Sequence, residues 1–274
     1  MPELEQAREF AAELFGEVAV VTGAAQGIGA AIARKFAAHG ARVALADRQL
    51  EKARAVAAEI CTAGGRAQAF EVDISQPESL LALREQVRAA FGQTSLLVNN
   101  AAVIPFQDFL SMTWEDWDRA IHNNLSGTFY CSRIFLDDML SLGRGGIIIL
   151  ASVNGLRGQP GLSAYNVTKA GLIMLAKTMA LELARHNIRV NAIAPGDIQT
   201  QVLQHVADEV EALANIPLRR WGRPEEVAET ALFLASERSS YTTGSVVACD
   251  GGLLAQLYPY HASPESKSDA EITL

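Results

Sequence analysis

Short runs that are apolar at nearly every position alternate along the chain with longer stretches whose apolar residues recur every three to four positions. Residues 18–22, 42–46, 67–72, 96–99, 146–151, 189–193 and 245–248 read as strands. Most are apolar on both faces, as strands of a parallel sheet covered by helices must be. Between them, residues 28–38, 49–63, 77–91, 114–142, 163–186 and 225–235 have helical periodicity. Strand–helix alternation of this kind requires right-handed crossovers. It predicts a doubly wound α/β fold, a parallel sheet of about seven strands with helices on both faces.

No linker or short-period repeat divides the pattern, so residues 1–274 read as one domain with two appendages. Ala7, Phe10, Ala11 and Leu14 share one helical face, which predicts a short extra helix before the first strand. After the last strand, residues 253–274 form an extension. Its first half carries Leu253, Leu254, Leu257, Tyr258 and Tyr260, and is expected to pack against a neighbouring subunit or on its own chain. Its polar second half is expected to be loosely held.

Composition narrows the class. The chain is 49% hydrophobic and 20% charged, with a net charge of −8, which repels a phosphate backbone and argues against nucleic acid as a partner. Three widely spaced cysteines, Cys61, Cys131 and Cys249, fit a reduced compartment and no metal-ligand spacing. Glu3, Glu5, Glu9 and Glu13 precede any apolar run, unlike a secretory signal, and no run is long enough to span a bilayer. A cytoplasmic protein without a membrane partner is expected. Trp114, Trp117 and Trp221 are expected to serve packing.

The turn after the first strand reads Thr22-Gly23-Ala24-Ala25-Gln26-Gly27-Ile28-Gly29. Glycines at 23, 27 and 29 let the backbone approach a pyrophosphate whose charge rests at the N-terminus of the next helix. The spacing differs from the general G-x-G-x-x-G fingerprint, but a glycine turn opening the first helix points to a dinucleotide, and so to a Rossmann-type sheet. Asp47 ends the second strand, 18 residues after Gly29. A carboxylate there can accept hydrogen bonds from the adenosine ribose and repels a 2′-phosphate, which favours NAD over NADP. Gln26 supplies no positive charge for that phosphate, whereas Arg48 pulls the other way. Asp47 as a simple helix cap is the plainer alternative.

Tyr165 and Lys169, four apart, share a helix face, and Ser152 lies 13 residues earlier, just past the fifth strand. A free tyrosine has a pKa of about 10, and a nearby ammonium is expected to lower it, so that the phenol exchanges the substrate's hydroxyl proton. A serine hydroxyl can hold the substrate oxygen. Asn154 offers a further polar contact to substrate.

With these residues in order, the chain resembles the short-chain dehydrogenase/reductase family in its single-domain branch, over roughly residues 17–252. The resemblance rests on the glycine turn, Asp73, Asn99-Asn100-Ala101-Ala102, Asn123-Asn124-Leu125, Ser152, Tyr165-x-x-x-Lys169, Pro195-Gly196-x-x-x-Thr200 and Asp250-Gly251-Gly252. It implies that Gly23, Gln26, Gly27, Ile28 and Gly29 hold the pyrophosphate region, with Asp47 and Arg48 at the ribose. It places Asp73 at the adenine edge with Ile74 beside it, and Asn100 and Ala101 at the nicotinamide ribose. Lys169 would bind that ribose as well as tune Tyr165, Asn124 would be a fourth catalytic residue supporting a proton relay, and Pro195, Ile198 and Thr200 would seat the carboxamide. Ala102 departs from the family's usual glycine. Homotetramers or homodimers built through the helices at 114–142 and 163–186 are implied as well.

The reading expected from all this is an NAD-dependent alcohol dehydrogenase or carbonyl reductase needing no metal. Its catalytic residues are Asn124, Ser152, Tyr165 and Lys169, and its substrate contacts are Ser152, Asn154 and Tyr165. A sugar, polyol or small hydroxy acid is favoured as substrate, with a hydroxysteroid or 3-oxoacyl group as alternatives. Residues 197–221, which mix Val202, Leu203, Val206 and Leu213 with Gln199, Gln201 and Gln204, are expected to form the substrate lid. Rivals are a non-catalytic dinucleotide sensor or scaffold, and epimerisation or dehydration on the same fold.

Overall fold

Side chains of β1 (Val18–Thr22) point alternately to two separate cores. Ala19 and Val21 enter one, Val18 and Val20 the other. The same alternation runs through β4 (Leu96–Asn99) and β5 (Gly145–Leu150), whose Ile148 and Leu150 join the first core while Ile147 and Ile149 join the second. A period-2 chain that is apolar at every position therefore has to be covered on both sides. In a computed structural model, which describes residues 12–200 and 213–256, this is what the helices do.

The strands are all parallel, in the order β3-β2-β1-β4-β5-β6-β7, with β2 at Arg42–Asp47, β3 at Arg66–Glu71, β6 at Ile188–Pro195 and β7 at Val246–Cys249. One face packs against α1 (Gly27–Ala38), α2 (Leu50–Thr62) and α7 (Pro224–Ala235), through Ile32, Phe36, Val56 and Leu232 among others. The other face packs against α3 (Pro77–Phe91), α5 (Gly127–Leu142) and α6 (Ser163–Leu183), through Leu83, Phe135, Met139 and Leu172. Strand order reverses between β1 and β4, so a crevice opens at their carboxyl ends, where such sheets bind ligands.

The structure departs from the sequence reading in two places. The single helix expected over 114–142 is broken: α4 (Trp114–Ala120) runs into a π-helical segment, Ile121–Ser126, before α5 begins. Local polar competition accompanies the extra residue: Asn123 Nδ2 donates to Arg119 O at 2.9 Å, and Thr128 Oγ1 donates to Asn124 O at 2.8 Å. Trp114 is 84% exposed and packs no core. The early part of the C-terminal extension packs on its own chain, since Leu253 is 3% exposed and clusters with Val153 and Ile216. The N-terminal helix, the middle of the lid and residues 257–274 lie outside the described residues, apart from a turn before β1 that buries Leu14. No helix of the described residues is long and apolar enough to cross a membrane.

Candidate functional site

The glycine turn closes on itself tightly. A Cβ on Gly29 would sit 2.2 Å from Gly23 O and 2.5 Å from Asn100 Nδ2, so only glycine lets α1 start that close to β1. Asn100 holds the turn from the β4 side, its Nδ2 donating to Thr22 O at 2.9 Å and to Gly23 O at 3.0 Å. Thr22 Oγ1 accepts from the backbone N–H of Asn100 and of Ala101, at 3.0 and 3.1 Å. Asp47 braces the turn from β2: one carboxylate oxygen accepts from Ala25 N at 3.0 Å and the other from Gln49 N at 2.8 Å. The second bond is a local turn two residues on rather than a helix cap, since α2 is capped at Gln49 without a side-chain bond, and the first reaches across to the glycine turn.

These residues line one end of a cleft of about 1220 Å³. Gly23, Gln26, Gly27, Ile28, Asp47, Arg48, Ile74, Asn100 and Ala101 face it there, and Pro195, Ile198 and Thr200 face it further along. Asp73 does not line this cleft. It sits in a neighbouring depression with Arg48, where Ser75 donates to its Oδ1 from both backbone and hydroxyl, at 2.9 and 2.7 Å. Burial alone would raise its pKa, but the Ser75 bonds and the Arg48 charge outweigh that and hold it below the usual carboxylate value.

The other end of the cleft holds Ser152, Asn154, Tyr165 and Lys169. Ser152 follows β5, and its hydroxyl accepts from Asn154 N at 3.1 Å in a one-turn 3-10 helix, Val153–Gly155. Gly155 lies against α6, where a Cβ would meet the Lys169 carbonyl at 2.7 Å, so this glycine lets the Ser152 loop rest on the helix that carries Tyr165 and Lys169. Lys169 is 3% exposed. Its ammonium donates to Leu150 O at 2.6 Å and lies 5.4 Å from the Tyr165 ring centroid. Burial pulls the Lys169 pKa down to about 8.

Tyr165 corrects an expectation. Although it keeps part of its surface, the low-polarity surroundings of its phenol push its pKa up to about 12, against the opposing hydrogen bond with Ser152. Lys169 therefore does not by itself hold a phenolate. At neutral pH the tyrosine is protonated, which suits proton donation to a developing alkoxide.

Asn124 is fully buried behind the cleft rather than in it. Its Oδ1 accepts from Val103 N at 2.8 Å, and its Nδ2 donates to Val103 O at 2.9 Å and to Thr168 Oγ1 at 3.3 Å. It thus ties the segment after β4 to α6, next to Lys169 in sequence. Several cleft residues escaped sequence reasoning: Val103, Ile104, Phe106, Gln159, Leu162 and, as a site residue in its own right, Asp197. For Asp197 a signal existed, an acidic residue just past Pro195-Gly196 at a strand's carboxyl end.

Two local features test the fit of a dinucleotide. Gln26 Oε1 is buried in the turn with no hydrogen-bond partner, and a Cβ on Gly27 would fill space toward Thr200, 3.3 Å from its methyl group. The cradle cleared of side chains suits a pyrophosphate lying along the turn, whereas the spare Gln26 oxygen, an acceptor, could serve only a donor such as a ribose hydroxyl. No cluster of His, Cys, Asp and Glu among the described residues could hold a metal ion.

A crevice of this build defines an oxidoreductase of the nicotinamide-dinucleotide class. Residues 23–254 match the family model described as enoyl-(acyl carrier protein) reductase. The chain is 40% identical over 243 residues to the 3-oxoacyl-[acyl-carrier-protein] reductase FabG of Thermotoga maritima, covering 88% of this chain and 99% of the relative. It is 39% identical to the oxidoreductase UcpA of Escherichia coli K12, covering 88% and 95%. A crystal structure of a short-chain type dehydrogenase/reductase from Mycobacterium marinum superposes with a TM-score of 0.86 at 36% identity, over 91% of this chain and all of that one. That of a candidate gluconate dehydrogenase from Agrobacterium tumefaciens gives 0.87 at 30% identity, over 90% and 100%. The chain belongs to the short-chain dehydrogenase/reductase family.

Proposed function

We propose that the protein is an NAD-dependent oxidoreductase that interconverts secondary alcohols and ketones, with a sugar, polyol or small hydroxy acid as substrate. The observation that carries this reading is that Ser152, Tyr165 and Lys169 share one cleft with the glycine turn and Asp47. Bound nicotinamide supplies the hydride acceptor or donor. The chain's own residues do the rest. Ser152 holds the substrate oxygen, and Tyr165 gives it a proton in reduction or takes one in oxidation. Lys169 places positive charge beneath Tyr165, and Asn124 positions α6 and the segment at Val103. NAD is favoured because the Asp47 carboxylate would repel a 2′-phosphate while its remaining lone pairs can accept ribose hydroxyls. Arg48 is drawn toward Asp73, 4.0 Å away, which weakens its claim on such a phosphate.

Reduction of a 3-oxoacyl thioester is the second reading. The apolar strip Val103, Ile104 and Phe106 on the cleft wall favours it, as does the likeness to the Thermotoga enzyme. The test is a screen of sugars, polyols, hydroxy acids, steroids and 3-oxoacyl thioesters with both NAD(H) and NADP(H), read at the nicotinamide absorbance. NAD-linked turnover of a polyhydroxy compound supports the proposal. NADPH-linked turnover of thioesters alone replaces it with the second reading, and NADH binding without any turnover would make the protein a sensor.

A homodimer or homotetramer is proposed as well. Phe129 and Leu140 on α5 and Val167, Met174 and Leu181 on α6 are all exposed apolar side chains on the two helices, which water alone does not favour. Light scattering after size exclusion checks this, and a monomer would refute it.

A further inference from the structure

The loop leaving β6 carries a carboxylate that the chemistry above does not use. Asp197 follows Pro195 and Gly196 and faces the cleft. Its backbone is fixed. Asp197 O accepts from Gly222 N at 2.9 Å, Ile198 pairs with Gly222, and a Cβ on Gly196 would lie 2.8 Å from Asp250 Cα. Because β6 lies next to β5, the loops after these strands are neighbours, and Asp197 shares the cleft with Ser152 and Asn154.

Asp197 is half-buried, yet among the described residues its carboxylate accepts no hydrogen bond and forms no ion pair. Arg157 acts on it only through space. Burial holds the Asp197 pKa above the usual carboxylate value, with Arg157 opposing. A carboxylate partly withdrawn from water without a donor is unfavourable, and a ligand that supplies the donor relieves the cost. An ionised carboxylate only accepts, so that ligand must present hydroxyl or N–H groups rather than an anion. Beside it, Asn154 Nδ2 donates to Gln159 Oε1 at 2.9 Å, which leaves Asn154 Oδ1 and the Gln159 amide N–H groups open to solvent or substrate.

We propose that Asp197 is a specificity-determining residue that accepts hydrogen bonds from hydroxyl groups of a polyhydroxylated substrate other than the hydroxyl being oxidised. The inference rests on the reading that Ser152, Tyr165 and Lys169 carry out hydride-transfer chemistry in this cleft. A site that hydrogen-bonds a substrate hydroxyl discriminates strongly against an analogue lacking it, because its own polar group is then left unpaired.

The experiment is steady-state kinetics with NAD on the wild type, Asp197→Asn and Asp197→Ala. Three pentitols (ribitol, xylitol and arabinitol) are compared with 2-pentanol, and NADH affinity and thermal midpoint are measured on each protein. The wild type is expected to prefer a pentitol. Asp197→Ala should lower kcat/KM for that pentitol by about 30-fold or more, chiefly through KM, and leave 2-pentanol within about threefold. Asp197→Asn, which keeps shape and one acceptor oxygen, should lose less, and it carries the test if the alanine variant does not fold. Equal losses on both substrates with weakened NADH binding would overturn the inference by assigning Asp197 to the carboxamide of the cofactor. Unchanged pentitol kinetics would overturn it alone, leaving the hydride-transfer reading intact. Wild-type protein that binds NADH but turns over no alcohol of either kind would overturn both.

Discussion

The two ends of the cleft are built on different principles. At the glycine turn, most groups that shape the site are satisfied within the chain: Asn100 Nδ2 bonds the turn's backbone, Thr22 Oγ1 accepts from the backbone of Asn100 and Ala101, and both oxygens of Asp47 accept backbone N–H groups, with the Gln26 side-chain oxygen as the exception. At the chemical end, polar groups are held away from water with fewer partners. Lys169 is buried on a single carbonyl, the Tyr165 pKa is pushed up to about 12, and Asp197 has no donor among the described residues. The first end works by shape, and what it needs is the absence of side chains. The second works by displaced protonation equilibria, which costs stability and gives reactivity.

Lys169→Met should separate these costs most sharply. Turnover should fall by about 10²-fold or more, because the charge beneath Tyr165 is lost. Stability at pH 7 should not fall. The folded-state pKa of Lys169 lies near 8, below its unfolded value, so the unfolded chain binds the extra proton more readily. Wild-type stability therefore rises as pH climbs from about 8 toward the unfolded pKa, and the methionine variant escapes a penalty of at most about 3 kcal/mol below that window. Thermal melts at pH 7 and pH 10 check this. A lower melting point for the variant at pH 7 would break the contrast between the two ends.

Gly29→Ala probes the shape-based end. A methyl group 2.2 Å from Gly23 O cannot be accommodated without moving the turn. NADH affinity should weaken about tenfold or more, with a stability loss of about 1–3 kcal/mol from overpacking. Fluorescence titration and chemical denaturation give both numbers. Wild-type affinity in the variant would show that the turn does not hold the cofactor.

Asp47→Ala is expected to reduce the NAD-over-NADP ratio of kcat/KM by about tenfold, since repulsion of the 2′-phosphate and the ribose contacts vanish together. Because Asp47 also braces Ala25, KM for NAD should rise in the same variant. An unchanged ratio would remove Asp47 from cofactor selection.

The smallest expected effect is on pH. Oxidation needs Tyr165 without its proton, and a pKa near 12 leaves little phenolate at neutrality. Oxidation rates should rise from pH 6 to about 8, above which Lys169 gives up its own proton and the charge beneath the phenol is lost. A profile that is flat or falls over that range would contradict the assignment of the proton acceptor.

The same division explains what was legible in the sequence. The sheet could be read because its strands are apolar at consecutive positions, and the glycine turn because glycine at 23, 27 and 29 has a steric reason visible in one dimension. Ser152, Tyr165 and Lys169 could be read from spacing and tyrosine chemistry. The direction of the Tyr165 shift could not, because it depends on how deeply the phenol is enclosed. The π-helical break at 121–126 was hidden for a similar reason: Ile121–Ser126 has no proline, and the competing bonds from Asn123 and Thr128 exist only in three dimensions. Asp197 was read as part of a lid, since a lone aspartate after a strand gives no sign of lacking a partner.

The claim that shape holds the dinucleotide while Tyr165 carries the proton is tested most directly on one sample of Tyr165→Phe, with NADH affinity and kcat measured side by side. The phenylalanine keeps the ring and loses the transferable proton. The account predicts NADH affinity within about twofold of wild type and kcat lower by about 10²-fold or more. A variant that binds NADH normally and turns over at near wild-type rate would contradict it.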